Sequence, residues 1–110
     1  MAITYKVLGQ SAPADTNNAN LITVGAGKSQ IISTLVIANN TATATPARVF
    51  VRIAGAAAAV GNAIIYDASI PANSTASFSF GITLAATDIV SVRTATANAL
   101  TFTAFGTELS

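Results

Sequence analysis

Apolar residues recur with period two along most of the chain. Between Thr75 and Ile82, the residues Ala76, Phe78, Phe80 and Ile82 share one parity, and Ser77 and Ser79 hold the other. Between Ile89 and Thr94, Val90 and Val92 alternate with Ser91 and Arg93. Val49, Val51 and Ile53 alternate with Arg48, Phe50 and Arg52. Ile64, Tyr66, Ala68 and Ile70 are in phase, as are Leu100, Phe102 and Ala104, and Ile3, Tyr5 and Val7. A strand points successive side chains to opposite faces, so this period predicts strands. Gln30 to Asn39 differs, because Ile31, Leu35 and Ile37 fall on one parity and Ile32, Val36 and Ala38 on the other. A short apolar run also suits a buried helix, but Ile, Val and Thr are branched at Cβ and favour strand. The stretch predicts a central strand covered on both faces.

The links between these runs are rich in turn formers. Gly9 to Asn20 predicts a loop and Leu21 to Val24 a short strand. Gly25-Ala26-Gly27-Lys28 turns the chain into the central strand. Asn39 to Pro46 is a polar connector carrying Thr-Ala repeats, and Gly55 to Asn62 is a loop of small residues. Pro71-Ala72-Asn73-Ser74 predicts a hairpin, Leu84 to Thr87 breaks the alternation, and Ala95 to Ala99 turns the chain again. The sum is an all-β chain of about eight strands. Their spacing predicts an antiparallel β-sandwich, with immunoglobulin-like or jelly-roll topology. A length of 110 residues fits a single β-sandwich domain over residues 1–110.

Composition narrows the chemistry. Charged residues make up 8% of the chain, against about 25% in ordinary soluble domains. The net charge of +1 offers no strong attraction to nucleic acid or to an anionic membrane, so neither is expected as a partner. With 24 alanines and 15 threonines, the outer surface must be built largely from Thr, Ser and Asn. Such a surface gives a free monomer little colloidal protection, which favours residence in an assembly. No apolar stretch approaches the ~20 residues of a membrane span, and the start M-A-I-T-Y-K-V lacks the pattern of a secretory signal.

Reactive groups are scarce. There is no cysteine for a disulfide or thiolate site, and no histidine to serve as base or metal ligand. Gly25-Ala26-Gly27-Lys28-Ser29 imitates the end of a phosphate-binding loop. Ile22 stands where the motif needs its first Gly, and a β-branched strand follows where it needs a helix. A Gly-rich hairpin, whose flexible φ angles make the turn, is the simpler reading. The acids are Asp15, Asp67, Asp88 and Glu108, with Asp15 expected in a loop and Glu108 in the tail. For Asp67 and Asp88, ion pairs with Arg52 or Arg93 are expected in place of paired-carboxylate catalysis. The expectation is a protein that is not an enzyme and takes no cofactor or metal. Asn39-Asn40-Thr41 and Asn73-Ser74-Thr75 match the glycosylation triplet but read as Asn-rich turns.

Arg48, Phe50 and Arg52 form the candidate site. If Val49, Val51 and Ile53 face the core, these three face outward and place an aromatic ring between two guanidinium groups. Five cations in the whole chain are too few for a groove that tracks a nucleic-acid backbone. A protein contact suits the set, because a neighbour could bury the ring and accept hydrogen bonds from the arginines; the rival reading is that a second layer or loop of the same subunit covers Phe50, which a sandwich permits.

Several stretches, in order, carry a family likeness. They are Tyr5-Lys6-Val7-Leu8-Gly9-Gln10-Ser11-Ala12-Pro13, Ile32-Ser33-Thr34-Leu35, Val51-Arg52-Ile53-Ala54-Gly55-Ala56-Ala57, Tyr66-Asp67 with Ile70-Pro71-Ala72-Asn73, Gly81-Ile82-Thr83-Leu84-Ala85-Ala86-Thr87-Asp88, and Phe102-Thr103-Ala104-Phe105-Gly106-Thr107-Glu108. Together they resemble small virion structural proteins of tailed bacteriophages, of the cyanophage and aquatic-phage type. Val24-Gly25-Ala26-Gly27 departs from that pattern, which has a Pro in its second place. The resemblance implies a β-sandwich subunit, located in the virion, present in many copies and without catalytic residues. The leading expectation is a capsid decoration or cement subunit. It would bind other virion proteins, the major capsid protein foremost, and form a homo-oligomer. The alternatives are a tail, neck or fibre subunit, and a carbohydrate- or receptor-binding module. The last would rest on Tyr5 and Tyr66, since the chain has no Trp.

Overall fold

Eight strands form where the period-two runs stand. In the computed structural model, which describes residues 2–110, they are β1 (Ile3–Ser11), β2 (Ala19–Thr23), β3 (Ser29–Asn39), β4 (Thr45–Arg52), β5 (Ala63–Ile70), β6 (Thr75–Leu84), β7 (Ile89–Thr94) and β8 (Leu100–Leu109). Two short 3-10 turns, Ile53–Gly55 and Val60–Asn62, interrupt the link between β4 and β5. The loop expected from Gly9 to Asn20 is shorter at both ends, because β1 runs on to Ser11 and β2 starts at Ala19.

The strands build two antiparallel four-stranded sheets, in the orders β1-β8-β3-β6 and β2-β7-β4-β5. Pairing is nested: β1 with β8, β2 with β7, β3 with β6 and β4 with β5. One long antiparallel ribbon is thus folded over on itself, and β8 meets β3 while β7 meets β4 to complete the sheets. This is the jelly-roll arrangement of the β-sandwich, not the immunoglobulin-like one. Two expected hairpins are therefore corners. Pro71 to Ser74 and Gly25 to Lys28 each carry the chain from one sheet to the other. Asn73 and Gly27 take the left-handed φ values, 52° and 73°, that these corners require.

The core lies between the sheets. Leu35, Ile37, Val49, Ile70, Leu84, Val90, Val92, Leu100 and Phe102 are all at most 2% exposed. The inward sets expected for β7 and β8 are buried. Those expected for β3 and β5 are split by bulges. In β3 the register against both neighbours shifts between Ile32 and Thr34. Ile32 points inward before the shift, and Leu35 and Ile37 after it. Both parities look apolar because the phase slips at Ser33, not because both faces are covered. Val36 and Ala38 on the outer face are only half-buried, and Ile31 is exposed. Opposite the slip stands Gly106, where a Cβ would overlap the backbone carbonyl of Ile31. In β5 the extra residue is Asp67, at φ 57°. Ile65 is inward before it and Ile70 after it, while Ile64 and Tyr66 are exposed.

Candidate protein-contact face

β4 places Val49 in the core, and period two sends Arg48, Phe50 and Arg52 to the outer face of the second sheet. The expected inward set then fails at its end. The strand stops at Arg52, and Ile53 in the first 3-10 turn is 73% exposed. Phe50 is not exposed as expected, at 4%. The small-residue link between β4 and β5 folds back over it, and Ala58, Ala59 and Val60 line the same depression as the ring. A sandwich sheet leaves room for such a flap. The flap's residues are nearly all Ala and Gly, so it lies close to the sheet.

Arg52 holds that flap. Its Nε donates to the Ala56 carbonyl at 2.6 Å and its Nη2 to the Gly55 carbonyl at 3.2 Å. Its Nη1 donates to Ser91 Oγ at 3.0 Å and Asn20 Oδ1 at 3.2 Å. Four acceptors within the chain engage the guanidinium, so Arg52 braces loop to sheet. The Ser91 side chain, expected to be outward, is fully buried beneath this network.

Arg48 is engaged differently. Its Nε and Nη2 donate to the two carboxylate oxygens of Asp67, at 2.7 and 3.1 Å. Its guanidinium carbon also lies 4.1 Å from the Tyr66 ring centroid. The bulge at Asp67 makes this possible, because it turns the carboxylate back toward β4. Arg48 keeps the Asp67 carboxyl below the usual carboxylate range, chiefly by hydrogen bonding, and the guanidinium is raised in turn.

Arg93 completes the face and was not part of the set expected from the sequence. It pairs with Arg48 directly across β4 and β7. Like charges opposite one another repel. Asp67 between them offsets this, and Arg93 also donates through Nε to the Thr16 carbonyl at 2.7 Å. Thr16, Pro46, Arg48, Asp67, Arg93 and Ala95 surround a shallow depression of about 190 Å³. Among the described residues the terminal nitrogens of Arg93 make no hydrogen bond. The outward parity of Arg93 was legible. Its position beside Arg48 was not, because periodicity does not give strand pairing.

Two further acids, Asp88 and Glu108, are occupied, while Asp15 is exposed in the loop and accepts the Asn17 N–H at 3.0 Å. Among the described residues no cation pairs with Asp88. It accepts the backbone N–H groups of Ala54 and Ala85, each at 2.9 Å, and these hold its carboxyl below the usual range. Glu108 lies in β8, not in a loose tail. It accepts from Gln30 Nε2 at 2.8 Å and Lys6 Nζ at 3.1 Å, with Lys28 at 3.8 Å, and its carboxyl is lowered by the same contacts. Among the described residues no three His, Cys, Asp or Glu side chains gather as a metal site. Among the same residues no helix is long and apolar enough to cross a membrane. The whole arrangement is able to present cations to a neighbour's carboxylates or carbonyls.

No protein-family model and no curated protein sequence matches the chain. Solved structures do. A chain of infectious bursal disease virus, Gx strain, superposes with a TM-score of 0.51 at 14% identity, over 97% of this chain and 31% of the viral one. A chain of the Gt strain gives a TM-score of 0.49 at 9% identity, over 97% and 32%. This chain thus spans about a third of the length of the viral chains it matches. The likeness is one of fold: the β-sandwich found here also occurs within a chain of that virus.

Proposed function

We propose that this protein is a non-enzymatic structural subunit of a virus particle, and more narrowly a decoration or cement subunit on the head of a tailed phage. The observation that carries the reading is the nested eight-strand sandwich, whose fold also occurs in a chain of infectious bursal disease virus. A fold hosts many functions, so the side chains must agree with it. They do. Asp67, Asp88 and Glu108 are spent on an arginine, two amides and a lysine–glutamine pair. The sequence contains no histidine or cysteine to activate a nucleophile. The phage assignment rests on the resemblance of the sequence to tailed-phage virion proteins.

The mechanism is binding repeated over many copies. Each subunit contributes modest energy to the shell, and multivalency multiplies it. On this reading the major capsid protein is the partner, and Arg93 and Arg48 supply the donors. Sugar recognition is less well supported, because the Tyr66 ring already carries the Arg48 guanidinium. The test is add-back: purified protein is mixed with phage heads lacking it, and bound protein and heat resistance of the heads are measured. Saturable loading with greater heat resistance is expected, reduced by Arg93→Ser. Failure of the parent protein to load onto heads refutes the decoration role, and loading onto tails alone moves the subunit there.

A further inference from the structure

The outer face of the first sheet carries a second feature that the virion reading does not use. Ile3, Tyr5 and Val7 of β1 are 58%, 82% and 50% exposed, Ile31 of β3 is 37% and Phe105 of β8 is 38%. Registered residues on antiparallel neighbours share a face. Tyr5, Thr107 and Ile31 are aligned across three strands, and Val7 lies opposite Phe105. Ile3 lies opposite Leu109 at the end of the same strands. The five exposed side chains therefore form one continuous surface, which no described residue covers.

We propose that this face is a self-complementary contact, on which a second copy of the chain packs its own β1-β8-β3 surface about a two-fold axis. Charge and area both point to a second copy. No charged residue shares the parity of these five side chains, although Lys6 borders the groove between Tyr5 and Phe105. Lys6 alternates to the other side of β1, where it is held by Glu108 at 3.1 Å. A charged partner would find no complement there, whereas a second copy brings the same uncharged surface. At these exposures the five side chains leave roughly 500 Å² open, at the upper end of the largest apolar patch on a typical monomer. Two copies in contact would remove up to roughly 1,000 Å² through these residues, the lower threshold of a specific interface and the size of a weak, reversible one. A two-fold contact needs only one such patch per copy. The rest of the outer face is polar, with Gln10 bonded to Thr103 and with Ser77 and Ser79 exposed, and it forms the rim.

The contact stands apart from any role in a virion and is tested on the purified chain. Sedimentation equilibrium at micromolar to millimolar concentration should show a reversible dimer. Tyr5→Lys with Phe105→Lys should weaken association by at least tenfold while leaving the melting temperature of the subunit fold in place. Ser79→Lys, outside the apolar surface on the same sheet, should leave association unchanged. Should the double variant not fold, Tyr5→Ser alone serves, since 82% exposure makes it a surface change. A parent chain that stays monomeric at millimolar concentration overturns the proposal, even if the same residues then bind a capsid shell or a membrane. So does an oligomer that the folded Tyr5 or Phe105 variants retain at parental strength.

Discussion

Truncating Leu35 to Ala examines the phase slip in β3, on which the placement of the core depends. Leu35 lies midway along β3, between Phe78 of β6 and Ala104 of β8, and is 2% exposed. Removing its buried carbons forfeits about 2 kcal/mol of transfer free energy. A cavity term adds to this, and the site is poorly placed to collapse. One flanking residue is already Ala, and Phe78 is held in a stack with Phe80 at 5.9 Å. A total of about 3–4 kcal/mol is expected, within the range of about 2–5 for such changes. Set against a net stability of roughly 5–15 kcal/mol, the loss is large but leaves a folded fraction to measure. In urea, with a slope of about 1–3 kcal/mol per molar, the midpoint should fall by about 1–4 M. Val36→Ala is the internal control. Val36 is the next residue but points to the half-buried outer face, so its loss should stay below about 1 kcal/mol. Equal midpoints for parent and Leu35→Ala, or a larger loss at Val36, would refute the inward assignment and the bulge that produces it.

Other outcomes follow from the same geometry. Asn39 is 3% exposed, donates to the carbonyls of Thr43 and Ile70 and accepts from Thr41. Asn39→Ala should therefore cost about 2 kcal/mol or more by urea melts, because it leaves buried groups unpaired. Gly106→Ala should destabilise strongly or abolish folding, since the added Cβ meets the Ile31 carbonyl; circular dichroism reports it. The carboxyls of Asp67, Asp88 and Glu108 are all lowered in the fold. Each contributes stability that is present above the ordinary carboxylate range near pH 4 and is lost as pH falls through its lowered value. Melting temperature should thus be nearly flat from about pH 5.5 to 8, there being no histidine, and fall in acid. Phe50→Ser should lower stability, as expected of a residue under a flap, and limited proteolysis should then cut between residues 55 and 62.

Strand positions were largely legible, because alternation with period two survives wherever one face is buried. β7 matches its expected limits, and Val90 and Val92 are inward as expected. What alternation cannot show is a change of phase. Ser33 and Asp67 each shift the register, and around each the apolar parity reverses. Nor does local sequence distinguish a corner from a hairpin: Pro71 to Ser74 has the composition of either, and pairing with distant strands decides. The candidate site was half legible. Arg48 and Arg52 point outward as alternation requires, but Phe50 is covered by a flap whose Ala and Gly residues carry no signal of where they pack. Arg93 joined the site through the pairing of β4 with β7, and Asp67 through its bulge.

The virion reading is tested most directly by the protein content of purified phage particles. If the proposed phage origin holds, particles of a phage that encodes this chain are banded in a density gradient, washed in high salt, and analysed by quantitative mass spectrometry against the major capsid protein. If the protein is a virion subunit, the chain remains with the particles at a fixed ratio to the capsid protein, in many copies per head. Its absence from washed particles, while it is abundant in the lysate, would contradict a structural role in the virion.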